Sequence, residues 1–153
     1  MDDRESAGPR LEEFPIQTRD KVRYADTDRQ GHVNNAVFAT FLETGRVEIL
    51  YNPEEPLTDD GAAFVIARLS LDFRAEIQWP GEVQIGTRVL RVGRSSLTLH
   101  QAIFQHEQCA AEAETVIVQV DEDGKVARPL NKKTLDRLQD LRITSDDPQK
   151  PKT

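Results

Sequence analysis

Hydrophobic periodicity changes once along this chain, and that change limits the folds open to it. Between Ala36 and Leu50, the residues Phe38, Phe41, Leu42, Gly45 and Ile49 recur at three- and four-residue steps, the period of one helix face. Asn34 and Asn35 stand before this run as N-cap candidates, because an asparagine side chain can satisfy an orphan backbone N–H. Pro53 closes it, since the residue before a proline disfavours helix. After that the period is two. Ala63, Val65, Ala67, Leu69, Leu71 and Phe73 are all apolar, while Arg68, Ser70 and Asp72 fall between them, which predicts a half-buried strand. Glu82 to Val92 reads as another strand, and its apolar parity slips between Val89 and Leu90, which predicts a bulge. Leu97 to Ile103 and Ala110 to Val120 supply two more. A short first strand runs from Ile16 to Tyr24, and a last short helix from Asn131 to Leu141. Pro80-Gly81, Gly93-Arg94-Ser95 and Asp123-Gly124 read as turns. Turns this short force antiparallel pairing. The expected architecture is α+β: one long helix covering an antiparallel sheet of five or six strands. The free edges of such a sheet make pairing between copies an expectation.

The 153 residues suit one domain, expected over 14–143, with charged, Gly- and Pro-bearing tails over 1–13 and 144–153 expected to be disordered. Twenty Lys and Arg against 27 Asp and Glu leave a net charge of -7, a poor match to nucleic-acid phosphates. A single cysteine, Cys109, excludes an internal disulfide and a cysteine-based zinc site. With only His32, His100 and His106, scattered in sequence, no His-rich metal cluster is expected, and the hydrolase reading given below implies no metal and no cofactor. No apolar run approaches the roughly 18 residues of a membrane span, and the first ten residues lack the apolar stretch of a secretory signal. A cytoplasmic location is expected.

The densest polar cluster, Tyr24 to Asn35, lies directly before the long helix. A helix N-terminus brings free N–H groups and partial positive charge. Such groups can polarise a carbonyl, and a carboxylate beside them can attack or activate water, which is what acyl hydrolysis needs. The simpler reading is a turn rich in Asp, Asn and Gly that caps a helix. On composition alone that reading is the commoner one. No G-x-S-x-G elbow occurs, so a serine hydrolase has no support.

Val22-Arg23-Tyr24-Ala25-Asp26-Thr27-Asp28, then Gly31-His32-Val33-Asn34-Asn35, then Phe38, Phe41-Leu42-Glu43 and Arg46, resembles the 4-hydroxybenzoyl-CoA thioesterase-like family of hotdog-fold acyl thioesterases. Leu71-Asp72-Phe73-Arg74, Pro80-Gly81-Glu82, Val92 to Ser96 and Ala111-Glu112-Ala113 are similar to later parts of that family's pattern. The resemblance implies a hotdog fold and hydrolysis of an acyl-CoA to a carboxylic acid and CoA, with CoA only as part of the substrate. It implies a homodimer or homotetramer with its site at a subunit interface. It matches Asp28 to the family's catalytic aspartate, as nucleophile or general base, and the Asn35 N–H to the amide that polarises the thioester carbonyl. His32 and Asn34 match a stretch shared with acyl-carrier-protein thioesterases, where an asparagine two residues after the aspartate assists; here that position is Gln30. Tyr24, Gly31 and Asn34 are expected to contact substrate on this resemblance.

Asp26 reads as a turn-shaping residue, and Gly31 as a site of positive φ or close substrate approach. His32 reads equally as a substrate contact or as a holder of the turn. Glu43, eight residues after Asn35, is either an alternative base, as in a second hotdog subfamily, or an i,i+3 ion-pair partner of Arg46, the reading preferred. Gly45 reads as a close-packing position. Arg91, Arg94, Ser95 and Ser96 surround a turn that can hold CoA phosphates by charge-assisted hydrogen bonds, or simply be solvated. A hotdog enoyl-CoA hydratase, an acyl-carrier-protein thioesterase and a non-catalytic acyl-CoA-binding dimer are the alternative functions.

Overall fold

A computed structural model describes residues 8–123 and 126–142. The Asp123-Gly124 turn in part, the residues 1–7 of the N-terminal tail and all of 144–153 lie outside the described residues. The order is β1 (Ile16–Val22), α1 (Asn35–Leu50), β2 (Ala62–Phe73), β3 (Gly81–Val92), β4 (Ser96–Gln105), β5 (Gln108–Asp121) and α2 (Lys132–Asp140). The five strands form one antiparallel sheet in the order β1-β3-β4-β5-β2. This is the hotdog arrangement expected from the sequence: one long helix on an antiparallel sheet.

Alternation of side chains along β3, β4 and β5 sends one set towards α1 and the other to the far face. Phe38, Phe41 and Leu42 of α1 pack on Val83, Ile85, Ile103, Ala111 and Ala113. Leu50 joins Val89, Leu97, Leu99, Ile117 and Leu138 of α2 in a second cluster. Close approach of helix and sheet rests on Gly45, where a Cβ would lie 2.8 Å from Ile85 Cγ2. On the far face, a 3-10 turn (Leu11–Glu13) leads into Phe14, which is buried against Ala102 and Phe104. Residues 8–13 therefore differ from the disordered tail expected there. The parity slip in β3 appears as a register shift between Val89 and Arg91. A second shift, between Ile66 and Arg68 in β2, had no counterpart in the sequence reading. β2 is an edge strand, and most of its residues are exposed in the protomer rather than half-buried. No helix among the described residues is long and apolar enough to cross a membrane.

Candidate active site

β1 ends at Val22, and residues 23–34 turn the chain into α1. Asp26 anchors this segment. Its buried carboxylate accepts from Arg23 N (2.8 Å) and Arg23 Nη2 (2.9 Å), and its carbonyl accepts from Asn34 N (2.9 Å). Burial works against its charge, but the bonds and charge of Arg23 outweigh that and hold the carboxyl below the usual range. The turn-shaping role read for Asp26 matches these contacts.

A small hairpin then projects. Thr27 pairs with Val33, Asp28 N donates to His32 O (2.7 Å), and Gly31 N donates to Asp28 O (3.0 Å). Gly31 has φ +85°, the left-handed conformation that glycine adopts without penalty. Asp28 and His32 thus face each other across the neck of the hairpin, and opposed residues project on the same side. Asp28 Oδ1 accepts from Gln30 N (2.8 Å) and His32 N (3.4 Å), while Oδ2 has no partner among the described residues. The carboxylate is exposed.

The connection from β2 to β3 runs beside this hairpin. His32 pairs with Gln78, and Val33 N donates to Ile77 O (2.9 Å). Those contacts bring Glu76 to His32, with Nε2 and Oε2 3.0 Å apart. They also bring Trp79 to Tyr24, ring centroids 5.1 Å apart and nearly perpendicular at 86°. Glu76 and Trp79 were missed by the sequence reading. They follow Asp28 by about 50 positions, and only the strand pairing signals the contact.

At the helix start, Asn34 is the N-cap, and its Oδ1 accepts from Ala36 N (2.9 Å). Val37 N donates to Asn34 O (2.9 Å). The Asn35 N–H, also in the first turn, has no acceptor among the described residues and is exposed. So Asp28, His32, Asn34, Asn35, Gly31 and Tyr24 come together at one end of the protomer.

The other expected site residues do not join them there. Glu43 lies two helical turns on, about 12 Å along α1 from Asn35. It is exposed, whereas Arg46 is buried and reaches Gln101 Oε1 (3.4 Å), so the expected pairing amounts to a long-range attraction. Arg91, Arg94, Ser95 and Ser96 lie at the far end of β3, roughly 35 Å along the strand from Gly81. Among the described residues neither Arg91 nor Arg94 has a carboxylate within salt-bridge distance, and both are exposed. Cys109 is half-buried, and burial first and the charge of Glu112 next push its thiol up to about 11, far from a nucleophile's range. Among the described residues, no group of three or more His, Cys, Asp or Glu is placed to hold a metal ion.

Comparison with known proteins points the same way. The profile of the thioesterase-like superfamily matches residues 22–138. The acyl-CoA thioester hydrolase YbgC of Escherichia coli O6:H1 is 30% identical over 105 residues, covering 66% of this chain and 78% of that protein. The long-chain acyl-CoA thioesterase FadM of E. coli K12 is 28% identical over 117 residues, 75% of this chain and 89% of its own. Among solved structures, a Thermus thermophilus thioesterase complexed with coenzyme A and Zn superposes with a TM-score of 0.74 at 33% identity, over 86% of this chain and 96% of that one. The PA5185 protein of Pseudomonas aeruginosa shares the fold, with a TM-score of 0.80 at 24% identity over 90% and 99% of the two chains.

Proposed function

We propose, from the premise that this chain belongs to the thioesterase-like superfamily, that it hydrolyses acyl-CoA thioesters to a carboxylic acid and CoA. One observation carries the reading: the Asn35 N–H, the first-turn amide left without an acceptor, stands at the end of the protomer that also presents the free Oδ2 of Asp28. The amide and the dipole behind it polarise the thioester carbonyl and stabilise the developing oxyanion. Asp28 acts on the carbonyl carbon, as nucleophile or as base to a water. Tyr24 and Gly31 border the approach, and the edge-on Tyr24–Trp79 pair offers an apolar wall for the acyl group.

The active form is a dimer joined along β2. Val65, Ile66, Leu69 and Phe73 on that strand are 43%, 49%, 38% and 51% exposed in the protomer. A two-fold pairing of β2 edges turns the Arg91–Ser96 end of a second copy towards the end that carries Asp28. That arrangement supports a role for Arg91, Arg94, Ser95 and Ser96 in holding CoA phosphates, which the single protomer cannot perform.

The test is a panel of acyl-CoA and acyl-carrier-protein thioesters, enoyl-CoA included, followed by Asp28→Asn. Thioester hydrolysis that falls roughly 100-fold or more in the variant is the expected result. Hydration of the enoyl group, or binding without turnover, would replace this reading with one of its alternatives.

A further inference from the structure

We infer that Arg46, with Gln101 and Thr115, forms the polar end of an acyl groove and selects acyl groups that carry a second carboxylate at their far end. The inference rests on the thioesterase reading and goes further by naming the substrate class, an ω-carboxyacyl-CoA.

Arg46 is a buried cation without an anion. It is 4% exposed, and an arginine side chain does not shed its charge. Burial works against that charge, and only the attraction of the exposed Glu43 offsets it. Among the described residues its guanidinium meets one acceptor, Gln101 Oε1, at a long 3.4 Å from Nη1. Thr115 repeats the pattern. Its Oγ1 is the one fully buried side-chain polar atom without a hydrogen bond among the described residues. Arg46 Nε and Nη2, also unbonded, therefore retain contact with solvent. Unpaired groups of this kind call for a partner, and beside a guanidinium that partner is an anion.

Both groups face α1 from the same stretch of sheet. Gln101 pairs with Ala113 and Leu99 with Thr115, and Gln101 Nε2 donates to Leu42 O of α1, so Gln101 and Thr115 project towards the helix. They are diagonal neighbours, about 7–8 Å apart. On α1, Phe38, Leu42 and Arg46 recur at four-residue steps and share one strip of the helix. Phe38 at the head of the strip meets Phe73 of β2, ring centroids 5.0 Å apart, so the strip faces β2. Ile66, Leu69 and Phe73 of β2 pair with Ile117, Thr115 and Ala111 and point to the same side, yet they remain 49%, 38% and 51% exposed. Helix and strand thus bound an apolar groove that begins one turn from the Asn35 N–H and ends at Arg46, about 16 Å along the helix from Asn35. A second copy on the β2 edge roofs it. An acyl chain whose carbonyl sits at Asn35 runs down this groove, and its far end meets a guanidinium fork and a hydroxyl. A carboxylate has oxygens to accept from both. A methyl end would leave the charge uncovered.

The experiment compares kcat/KM of the full chain for suberyl-CoA and octanoyl-CoA, two chains of equal length that differ in the terminal carboxylate. Wild type should favour suberyl-CoA roughly 10-fold or more. Arg46→Met, which keeps the bulk and removes the charge, should lower that ratio roughly 30-fold, the scale on which a buried charge pair loses one member. Thr115→Val, equal in shape, should lower it by less, roughly 10-fold. A general weakening of the fold would not move a ratio of two substrates on one enzyme. A wild type that prefers octanoyl-CoA, or a ratio unmoved in both variants, would overturn the inference. Should no thioester be hydrolysed, the proposed function fails, while calorimetric titration with suberate and octanoate still decides the groove. Suberate should then bind wild type more tightly than octanoate does and lose that advantage in Arg46→Met, and equal binding of the two acids to wild type would overturn the assignment.

Discussion

Glu112, on the face of the sheet away from α1, carries more of the pH dependence of this fold than any residue of the site. Its Oε1 lies 2.7 Å from His100 Nε2, and its Oε2 accepts from Arg74 Nη2 at 2.6 Å. His100 Nδ1 in turn accepts from the buried Arg88 Nε at 2.9 Å. The hydrogen bond from His100, set against burial and reinforced by Arg74, holds the Glu112 carboxyl down at about 2, against 4.5 for the free group. A lowered folded-state value means stability that is complete above the unfolded value and fades as pH falls from about 4.5 towards 2. Glu112 is part-exposed, so screening cuts the full conversion of that shift to roughly 1–2 kcal/mol. Urea unfolding at pH 7 and pH 3 should show wild type losing a little over half of that contribution relative to Glu112→Gln on acidification, since pH 3 lies between the two values. Equal losses in the two proteins would remove Glu112 from the account. Sequence reading reached Asp28, His32 and Asn35 because they are neighbours along the chain. Glu112, like Glu76, takes its partners from other strands, and single-sequence spacing carries no trace of such contacts.

Packing of α1 on the sheet shows where local sequence rules succeed and where they stop. A glycine in mid-helix was legible as an anomaly with a packing cause, and Gly45 bears that out: beyond Ile85, a Cβ there would come 3.0 Å from Gln101 Nε2 and 3.2 Å from Thr87 Oγ1. Alanine would raise helix propensity by about 1 kcal/mol. Forcing a methyl against the fully buried Ile85 costs typically about 1–3 kcal/mol. The second effect wins, because Ile85 and Gln101 sit in the packed interior and have no room to swing aside. Gly45→Ala should therefore melt roughly 2–4 °C below wild type, and a higher melting temperature would refute the close-packing role. Other features of the elements left no signal. His106 and Glu107 turn the chain from β4 to β5 with φ of 51° and 65°, a geometry usually marked by Asn-Gly. Arg46 looked like a surface partner of Glu43, yet it is 4% exposed and bonded to Gln101. Helical spacing places both side chains but does not say which of them the sheet covers.

At the scale of the whole molecule, β2 is the element whose sequence and surroundings disagree. Its alternating apolar pattern is that of a strand with one buried face, and the order of elements along the chain came through as expected. In the protomer, however, β2 touches the sheet only through β5 and leaves Val65, Ile66, Leu69 and Phe73 open. A pattern written for burial that the single chain does not bury points to cover supplied by a second copy. In the proposed dimer the Arg91–Ser96 turn, at the other end of β3, would serve the neighbouring subunit, a placement that linear sequence cannot register. Lysine on an edge strand opposes edge-to-edge pairing, so Val65→Lys with Leu69→Lys provides the test. Sedimentation should shift from twice the 17.3 kDa chain mass to that mass itself. The Asp28 hairpin is held by Asp26, Ile77 and Gln78, so its fold should survive the change. Thioesterase activity should nevertheless fall with the dimer. A double variant that stays dimeric would move the interface elsewhere, and a fully active monomer would show that one chain holds the complete site.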